Sequence, residues 1–489
     1  MAESLVAPTV ATGEEATLPG TALKTSRLAI AAAFAIVLAT FAYYVYLIDA
    51  YPTIYWYDAL HRYAYADDLT VDRWLPGSQI VVFVTRKLSD DALLTRLVLA
   101  AISCLSLLAV WAFTRYISTP IAGLVAILAL CTNFVFASLA TVPYGETLFI
   151  GCVLGALLLL DGRRSNAQFY AGTAFLIGAC MTRYEGWFLA AILMVEQLYG
   201  YIRGDRDKRA LLFCFAVGTP IALWLALGTS YTRDGESSIL ERMTFDHWFE
   251  FIRDYARLLR WQEVDPWILL APVGFGLAWL KGTHRRMHLR VVLFSALTFT
   301  MIAVVEPFGG VNFRVTFVTL MFVHIYAAIA LVMLCEIAVA RLSTRITLAR
   351  AGTIAWLLPL IAGVALVFYH TPRATDFVRL SSQESRFYGA ELAGRWLRDQ
   401  PHEDATIYAL TDDILQLYAI AGMADTPVDR VLVDDAVQAG KPSRRTYVLA
   451  VYQRETGLSK NEKALLDALT GGGIVSLSIG PTRAWIIEP

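Results

Sequence analysis

The residues best suited to chemistry stand between positions 55 and 77, where four carboxylates and two arginines are interspersed with aromatic side chains. Asp58 has aromatic and aliphatic neighbours on both sides. A carboxylate withdrawn from water is a stronger base, and a base within hydrogen-bond reach of a hydroxyl can remove its proton. Asp58 is therefore the leading candidate for a general base. Asp67 and Asp68 are alternatives that we expect to be more exposed, with catalysis, acceptor contact and helix capping left open for them.

His61 and Arg62 follow Asp58 in the same segment. We expect His61 to be a hydrogen-bonding residue at the rim of a site. Solvated charges beside aromatic residues are also ordinary at a membrane surface, so a purely structural interpretation of the segment stays open. The sequence predicts no metal site. Its six cysteines all lie in apolar runs and are interpreted as small buried hydrophobic residues.

Three further groups of charged residues are distant from this segment along the chain. Glu146 belongs to GETLF, Arg183 and Glu185 belong to TRYEGW, and Glu306 and Arg314 flank the turn PFGGVNF. The planar guanidinium of arginine fits a phosphate, whereas a nearby acid favours an internal ion pair, and both interpretations are open for Arg183. Glu146 is either a charge that stabilises a helix N-terminus or a chemical group. Arg314 is predicted to bind phosphate.

Long apolar runs must position these residues. The chain has 489 residues, of which 57% are hydrophobic and 17% charged, and its mean hydropathy is +0.53. Soluble proteins carry roughly a quarter charged residues, so the sequence predicts an all-α polytopic membrane bundle. The net charge of −1 excludes the strongly basic surface that nucleic-acid-binding proteins use.

About eleven apolar runs are candidates for spanning a bilayer. Basic residues concentrate in alternate loops, which places those loops and the N-terminus in the cytoplasm. This arrangement requires residues 167–201 to form a helical hairpin that turns near Arg183. All the charged residues named above then lie at the outer membrane boundary, where acids and arginines suit a lipid-borne anionic headgroup. The runs cover residues 28–48, 93–113, 121–139, 147–160, 167–181, 184–201, 210–229, 267–280, 289–305, 315–335 and 352–369.

Composition divides the chain into three parts. Residues 1–27 are predicted to be a flexible cytoplasmic N-terminus. Residues 28–370 are predicted to form the membrane domain, with long outer loops at 49–91 and 230–266. Residues 371–489 alternate helical and strand-like segments, which predicts a small soluble α/β domain on the outer face.

Together these features resemble the GT-C superfamily of integral-membrane glycosyltransferases, in particular its protein-O-mannosyltransferase-like branch. The resemblance rests on Asp58 in a long first outer loop, the acidic helix start at 145–149, the hairpin tip at 182–187, and Asn312-Phe313-Arg314 before a long apolar run. It covers about residues 28–370. The soluble C-terminal part is also similar to the extracytoplasmic domains that many such enzymes carry.

The resemblance implies a reaction. A hexose or pentose would be transferred, with inversion, from a polyprenyl-phosphate-linked donor to a protein, lipid or glycan acceptor. Transfer would take place on the outer face of the plasma (inner) membrane. Some members of the superfamily use a divalent cation and others use none, so this cofactor is left open.

The resemblance also implies roles for single residues. The first-loop acid that deprotonates the acceptor corresponds to Asp58. Members of the branch often carry two adjacent acids in this loop, which keeps Asp67 and Asp68 as alternatives. The side chains that would hold the departing phosphate are Arg183 and Arg314, with Arg62 or His61 assisting.

Two other classes of protein fit the composition. A secondary transporter or lipid flippase would place polar groups near the middle of the membrane, usually in duplicated halves, and the sequence displays neither pattern. A non-catalytic scaffold or receptor would keep its activity when Asp58 is replaced.

Overall fold

The computed structural model describes most of the membrane domain and parts of the C-terminal region. The described residues are 19–67, 75–89, 91–161, 165–205, 207–231, 253, 266–305, 313–342, 348–383, 386–399, 406–409, 418, 429–430, 446–451, 474–479 and 482–487.

Fifteen α-helices lie within these ranges. They are α1 (Pro19–Ala50), α2 (Tyr57–Ala64), α3 (Pro76–Leu88), α4 (Ala92–Ile117), α5 (Pro120–Cys131), α6 (Phe134–Ala140), α7 (Glu146–Leu159), α8 (Asn166–Thr182), α9 (Glu185–Gly200), α10 (Lys208–Tyr231), α11 (Ala271–Lys281), α12 (Arg285–Val305), α13 (Phe313–Leu342), α14 (Leu348–Gln383) and α15 (Arg386–Arg398).

The predicted helical membrane domain is confirmed. By length and composition, five of the described helices can cross a membrane, or six if the bent pair α5–α6 is one span. The chain is therefore an integral membrane protein. All eleven predicted apolar runs coincide with helical segments. Several of these are shorter than a bilayer crossing needs, so the count of eleven spans stays a prediction.

The break between α5 and α6 bends the chain by 72°. The Asn133 side chain caps α6 by accepting hydrogen bonds from the amides of Val135 and Phe136. On the other side of the break, the Tyr44 hydroxyl donates to the Cys131 carbonyl at 2.7 Å. Backbone groups at a break are tolerated in a membrane protein only when protein groups satisfy them. These side chains therefore make the bend stable.

Helices α4 and α7 approach closely through small residues. The Ser106 hydroxyl donates to the Thr147 carbonyl at 2.7 Å, and Ser103 donates to the Thr147 hydroxyl at 2.7 Å. A Cβ added at Gly151 would lie 2.5 Å from Ser106 Oγ. Small residues and hydroxyl hydrogen bonds are what hold membrane helices together, because lipid is as apolar as their side chains.

The predicted hairpin at 167–201 is confirmed as α8 and α9, with Arg183 ending α8 and Glu185 beginning α9. A Cβ added at Gly186 would lie 2.7 Å from the Ala179 carbonyl oxygen. The Trp187 indole donates to the Cys180 carbonyl at 3.0 Å. The absence of a side chain at Gly186 thus lets the two helices meet directly behind the turn.

Near the C-terminus, five short strands form one mixed sheet: β1 (Thr406–Ala409), β2 (Asp429–Arg430), β3 (Thr446–Val451), β4 (Ile474–Ile479) and β5 (Thr482–Ile487). The strand order is β2-β1-β3-β5-β4. β1 pairs in parallel with β2 and β3, whereas β5 pairs antiparallel with β3 and β4. Helix α15 packs on this sheet. The extent of the predicted α/β domain stays a prediction.

Element boundaries differ from the expected ones at several places. Helix α1 begins at Pro19, inside the N-terminal segment predicted to be flexible, and α14 continues through position 371 to Gln383. The predicted loop at 49–91 contains α2 and α3. Of the loop at 230–266, most lies outside the described residues.

Candidate functional site

Helix α2 carries the leading candidate for a general base. Asp58 lies in its first turn and is partly exposed, and Arg62 lies one turn later and is buried. Trp56 directly precedes the helix with φ 75° and ψ 127°. A bulky residue rarely adopts this backbone conformation, which costs about 1–3 kcal/mol and tends to be kept at functional sites.

Aromatic packing holds Trp56 in this conformation. Its ring lies 5.2 Å from Tyr144, just before α7, and 6.3 Å from Phe377 in α14. His61 is stacked on Tyr57 at 5.8 Å and lies 4.5 Å from the Tyr65 ring. The start of α2 is therefore fixed against the membrane bundle.

Helix α3 fastens α2 from the other side. Arg62 Nη1 donates to Ser78 Oγ at 2.7 Å. The Gln79 amide donates to the carbonyls of Arg62 and Tyr65, each at 2.9 Å. These bonds orient the buried Arg62 guanidinium toward α3.

The start of α3 in turn touches α7 and α8. A Cβ added at Gly145 would lie 2.7 Å from Ser78 Cβ and 3.0 Å from Thr182 Cγ2. One added at Gly77 would lie 2.6 Å from the Met181 carbonyl oxygen. Ser78, which binds Arg62, therefore adjoins the residues that immediately precede Glu146 and Arg183.

Arg183 lies between two carboxylates. Its Nη1 donates to Glu146 at 2.5 Å, and its Nη2 donates to Glu185 at 2.6 Å. The side chains of Glu146 and Glu185 are 2% and 5% exposed, whereas that of Arg183 is 18% exposed. Each carboxylate stands in the first turn of its helix, where the helix dipole favours negative charge. Arg183 thus forms the internal ion pair with Glu185 that was one of its two open interpretations, and Glu146 joins it; phosphate binding by Arg183 stays a prediction.

The structure thus brings together Glu146, Arg183 and Glu185 and connects them through Ser78 to Arg62, while Asp58 lies one turn before Arg62 on α2. Contacts run from α2 through Ser78 to the N-termini of α7 and α9. The roles predicted for these residues remain predictions.

The other predicted residues lie elsewhere or are not described. Asp67 is exposed and pairs with Lys87 at 2.7 Å. This hydrogen bond lowers the pKa of Asp67. Asp68 and Glu306 lie outside the described residues. Arg314 is the second residue of α13, and its side chain is not among those described.

Sequence reasoning missed Arg96, which is 1% exposed near the start of α4. Its guanidinium donates to the carbonyls of Tyr51 (3.0 Å), Pro52 (2.5 Å) and Thr141 (2.6 Å). A charged residue inside an apolar run was the available signal, because such residues are expensive in a membrane and require partners.

A second group of charged residues, also missed, lies at the other ends of these helices. Arg290 of α12 pairs with Asp161, which follows α7, at 2.9 Å and with Glu196 of α9 at 2.7 Å. The Tyr116 hydroxyl donates to Asp161 at 2.6 Å, and Arg286 pairs with Glu196 at 3.1 Å. According to the predicted topology, this is the cytoplasmic end.

No cluster of three or more potential metal ligands occurs among the residues that the structure describes. Glu146 and Glu185 both bind the Arg183 guanidinium, which is a poor fit to a cation site. His284 and His288 have a spacing that can share a metal, but they have different neighbours. His284 lies against the Tyr116 ring at 4.4 Å, and His288 Nδ1 lies 2.9 Å from the Tyr326 hydroxyl.

No family model and no curated protein matches the chain in sequence. Solved structures do match it in fold. ArnT from Cupriavidus metallidurans bound to undecaprenyl phosphate matches with a TM-score of 0.61 and 14% identity, over 93% of this chain and 97% of ArnT.

The oligosaccharyltransferase of Archaeoglobus fulgidus, in a complex with Zn and sulfate, matches with a TM-score of 0.53 and 12% identity, over 92% of this chain and 72% of that one. The archaeal oligosaccharyltransferase AglB from Archaeoglobus fulgidus, in complex with an inhibitory peptide and a dolichol-phosphate, matches with a TM-score of 0.51 and 12% identity, over 93% of this chain and 74% of that one. ArnT and AglB are GT-C glycosyltransferases. The resemblance found in the sequence is confirmed at the level of the fold: this chain has the fold of the GT-C glycosyltransferases.

Proposed function

We propose that this protein is a glycosyltransferase that moves a sugar from a polyprenyl-phosphate-linked donor to an acceptor on the extracytoplasmic face, with inversion. The observation that carries the proposal is that α2, which bears Asp58 and Arg62, is connected through Ser78 to the Glu146–Arg183–Glu185 group in a chain with the GT-C fold. ArnT, which shares this fold, has been crystallised with undecaprenyl phosphate, and AglB has been solved with a dolichol-phosphate.

In the proposed reaction, Asp58 removes the proton of an acceptor hydroxyl as its oxygen attacks the anomeric carbon of the sugar. The bond between that carbon and the phosphate oxygen breaks, and its electron pair leaves with the polyprenyl phosphate. Attack opposite the leaving group inverts the configuration. The proton ends on Asp58 and then passes to solvent, so the reaction needs no oxidant and no nucleotide.

The departing phosphate must be stabilised by cations. Arg183 is held by two carboxylates and its side chain is 18% exposed, but the Glu146–Arg183–Glu185 group has a net charge of −1. Other positive groups must therefore complete the site. We assign this role to Arg314 at the start of α13, with Arg62 or His61 assisting.

Donor use tests the proposal. The purified protein in lipid nanodiscs is supplied with a panel of undecaprenyl-phosphate-linked hexoses and pentoses together with extracted envelope material as acceptor. Mass spectrometry then follows the release of undecaprenyl phosphate and the glycosylated product. We expect release with at least one donor, and loss of release in Asp58→Asn. No release from any donor would contradict the proposal.

A flippase is the second candidate, because it would bind the same lipid. It would move the donor between leaflets without cleaving the sugar–phosphate bond. Proteoliposomes that carry the donor in one leaflet separate the two functions, since only a transferase converts the donor to undecaprenyl phosphate. Repeating the assay after dialysis against EDTA, with Mg²⁺ or Mn²⁺ restored, tests the divalent cation.

A further inference from the structure

Residues 51–56 form a short non-helical segment that leads from α1 to α2, and contacts from three directions hold it. From α4, Arg96 donates to the carbonyls of Tyr51 and Pro52. The Tyr55 hydroxyl lies 3.0 Å from Thr141 Oγ1, in the turn after α6.

The third contact comes from the C-terminal region. The Tyr418 hydroxyl donates to the Ile54 carbonyl at 2.9 Å, although 364 positions separate the two residues. Both residues are buried, with Tyr418 0% and Ile54 1% exposed. Burial raises the pKa of Tyr418 well above its usual value, so the hydroxyl keeps its proton and remains a donor.

The segment ends at Trp56, whose strained backbone sets the direction in which α2 begins. A strained residue keeps its conformation only when its surroundings fix it. Releasing the Ile54 carbonyl would loosen the residues just before Trp56, and Asp58 follows two positions later. A small displacement of a reacting group is enough to slow a reaction strongly.

We propose that Tyr418 is a positioning residue through which the C-terminal region holds α2, and hence Asp58, in place for transfer. Arg96 holds the same segment from the membrane bundle. This inference rests on the proposed function. It gives the C-terminal region a part in the reaction that does not depend on its touching the acceptor.

Tyr418→Phe removes only the hydroxyl and is the main variant. Tyr44→Phe is a matched control, because Tyr44 is also fully buried and its hydroxyl also donates to one backbone carbonyl, that of Cys131. Each substitution removes one buried hydrogen bond, so we expect similar losses of thermal stability.

Measurements of kcat and KM distinguish a positioning role of Tyr418 from a purely structural one. In Tyr418→Phe we expect kcat for release of undecaprenyl phosphate to fall about 10-fold while KM for the donor stays within about two-fold, because the hydroxyl acts on geometry and not on donor binding. In Tyr44→Phe both constants should stay near their starting values. Equal kcat values in the two variants would overturn the proposal.

Hydrogen–deuterium exchange of the full-length protein gives a readout that needs no substrate. Peptides covering residues 51–66 should exchange faster in Tyr418→Phe and unchanged in Tyr44→Phe. Unchanged exchange in Tyr418→Phe overturns the positioning role whatever the activity. Failure of the proposed function has a different signature, namely that the unmodified protein releases no undecaprenyl phosphate.

Discussion

The two ends of α7 and α9 are tied in the same way. At the predicted outer end, Arg183 lies between Glu146 and Glu185. At the predicted cytoplasmic end, Arg290 lies between Asp161 and Glu196. At each end, one arginine therefore lies between two carboxylates, one at an end of α7 and the other in α9.

The surroundings of the two groups differ. The Arg290 side chain is 1% exposed, and the group is completed by the Tyr116 hydroxyl and by Arg286. The Arg183 side chain is 18% exposed, and its neighbours are the ends of α3 and α8 that lead to Arg62 and α2. An arginine between two carboxylates thus joins helices at the enclosed end, whereas at the more exposed end the same motif also lies beside the proposed site.

The largest expected effect is at the outer end. Asp58→Asn should lower turnover by about 10²–10⁴-fold, because general bases contribute this much, and should leave the unfolding temperature unchanged. Release of undecaprenyl phosphate measures the first and thermal unfolding in nanodiscs the second. Asp67→Asn is the control, and we expect it to keep full activity. Normal turnover in Asp58→Asn would move the base to Asp67, Asp68 or another residue.

At the enclosed end, Arg290→Met should act on stability alone. It removes a buried arginine from the partly buried carboxylates of Asp161 and Glu196, and breaking a buried ion pair costs about 3 kcal/mol. Thermal unfolding should show the loss, while kcat per folded molecule stays unchanged. A fall in kcat per folded molecule would contradict this prediction, because it would show that Arg290 also affects the reaction.

Arg314→Ala tests whether Arg314 binds the phosphate of the lipid donor. Removing one phosphate ligand should raise the apparent KM for the lipid donor about 10-fold, which corresponds to a charge-assisted hydrogen bond. The KM for the acceptor should change less. Saturation curves for each substrate separate the two, and an unchanged donor KM would exclude Arg314 from the site.

The smallest effect is expected at the exposed Asp67–Lys87 pair. Because its partner lowers the pKa of Asp67 in the folded protein, the pair stabilises the fold at pH values above the unfolded pKa of about 3.9 and loses this contribution as pH falls through the folded pKa. Asp67→Asn should therefore match the unmodified protein at low pH and be slightly less stable at neutral pH. A large difference at neutral pH would contradict the exposed position.

The sequence allowed the helices and the hairpin to be predicted, because apolar length and the placement of basic loops are local properties. It also predicted strand-like segments within residues 371–489, where the strands of the sheet lie. The kink at Asn133 and the two short helices α2 and α3 were not predicted, because caps and tertiary packing decide them.

At the site, the sequence indicated which charged residues share the outer boundary but not which of them bind each other. Glu146 and Arg183 meet because glycines at positions 77 and 145 let α3, α7 and α8 approach. The position of Arg96 in an apolar run was a signal in the sequence, but its partners are backbone carbonyls, which no sequence pattern identifies.

The most direct test replaces the central arginine and its two carboxylates in each group by apolar residues. One variant carries Glu146→Leu, Arg183→Met and Glu185→Leu, and the other carries Asp161→Leu, Arg290→Met and Glu196→Leu. Replacing a complete buried ionic group by apolar residues is often neutral for stability, so both variants should fold. We expect release of undecaprenyl phosphate to fall by at least about 100-fold in the variant that lacks Arg183 and to persist in the variant that lacks Arg290. Equal activity in the two folded variants would contradict this expectation.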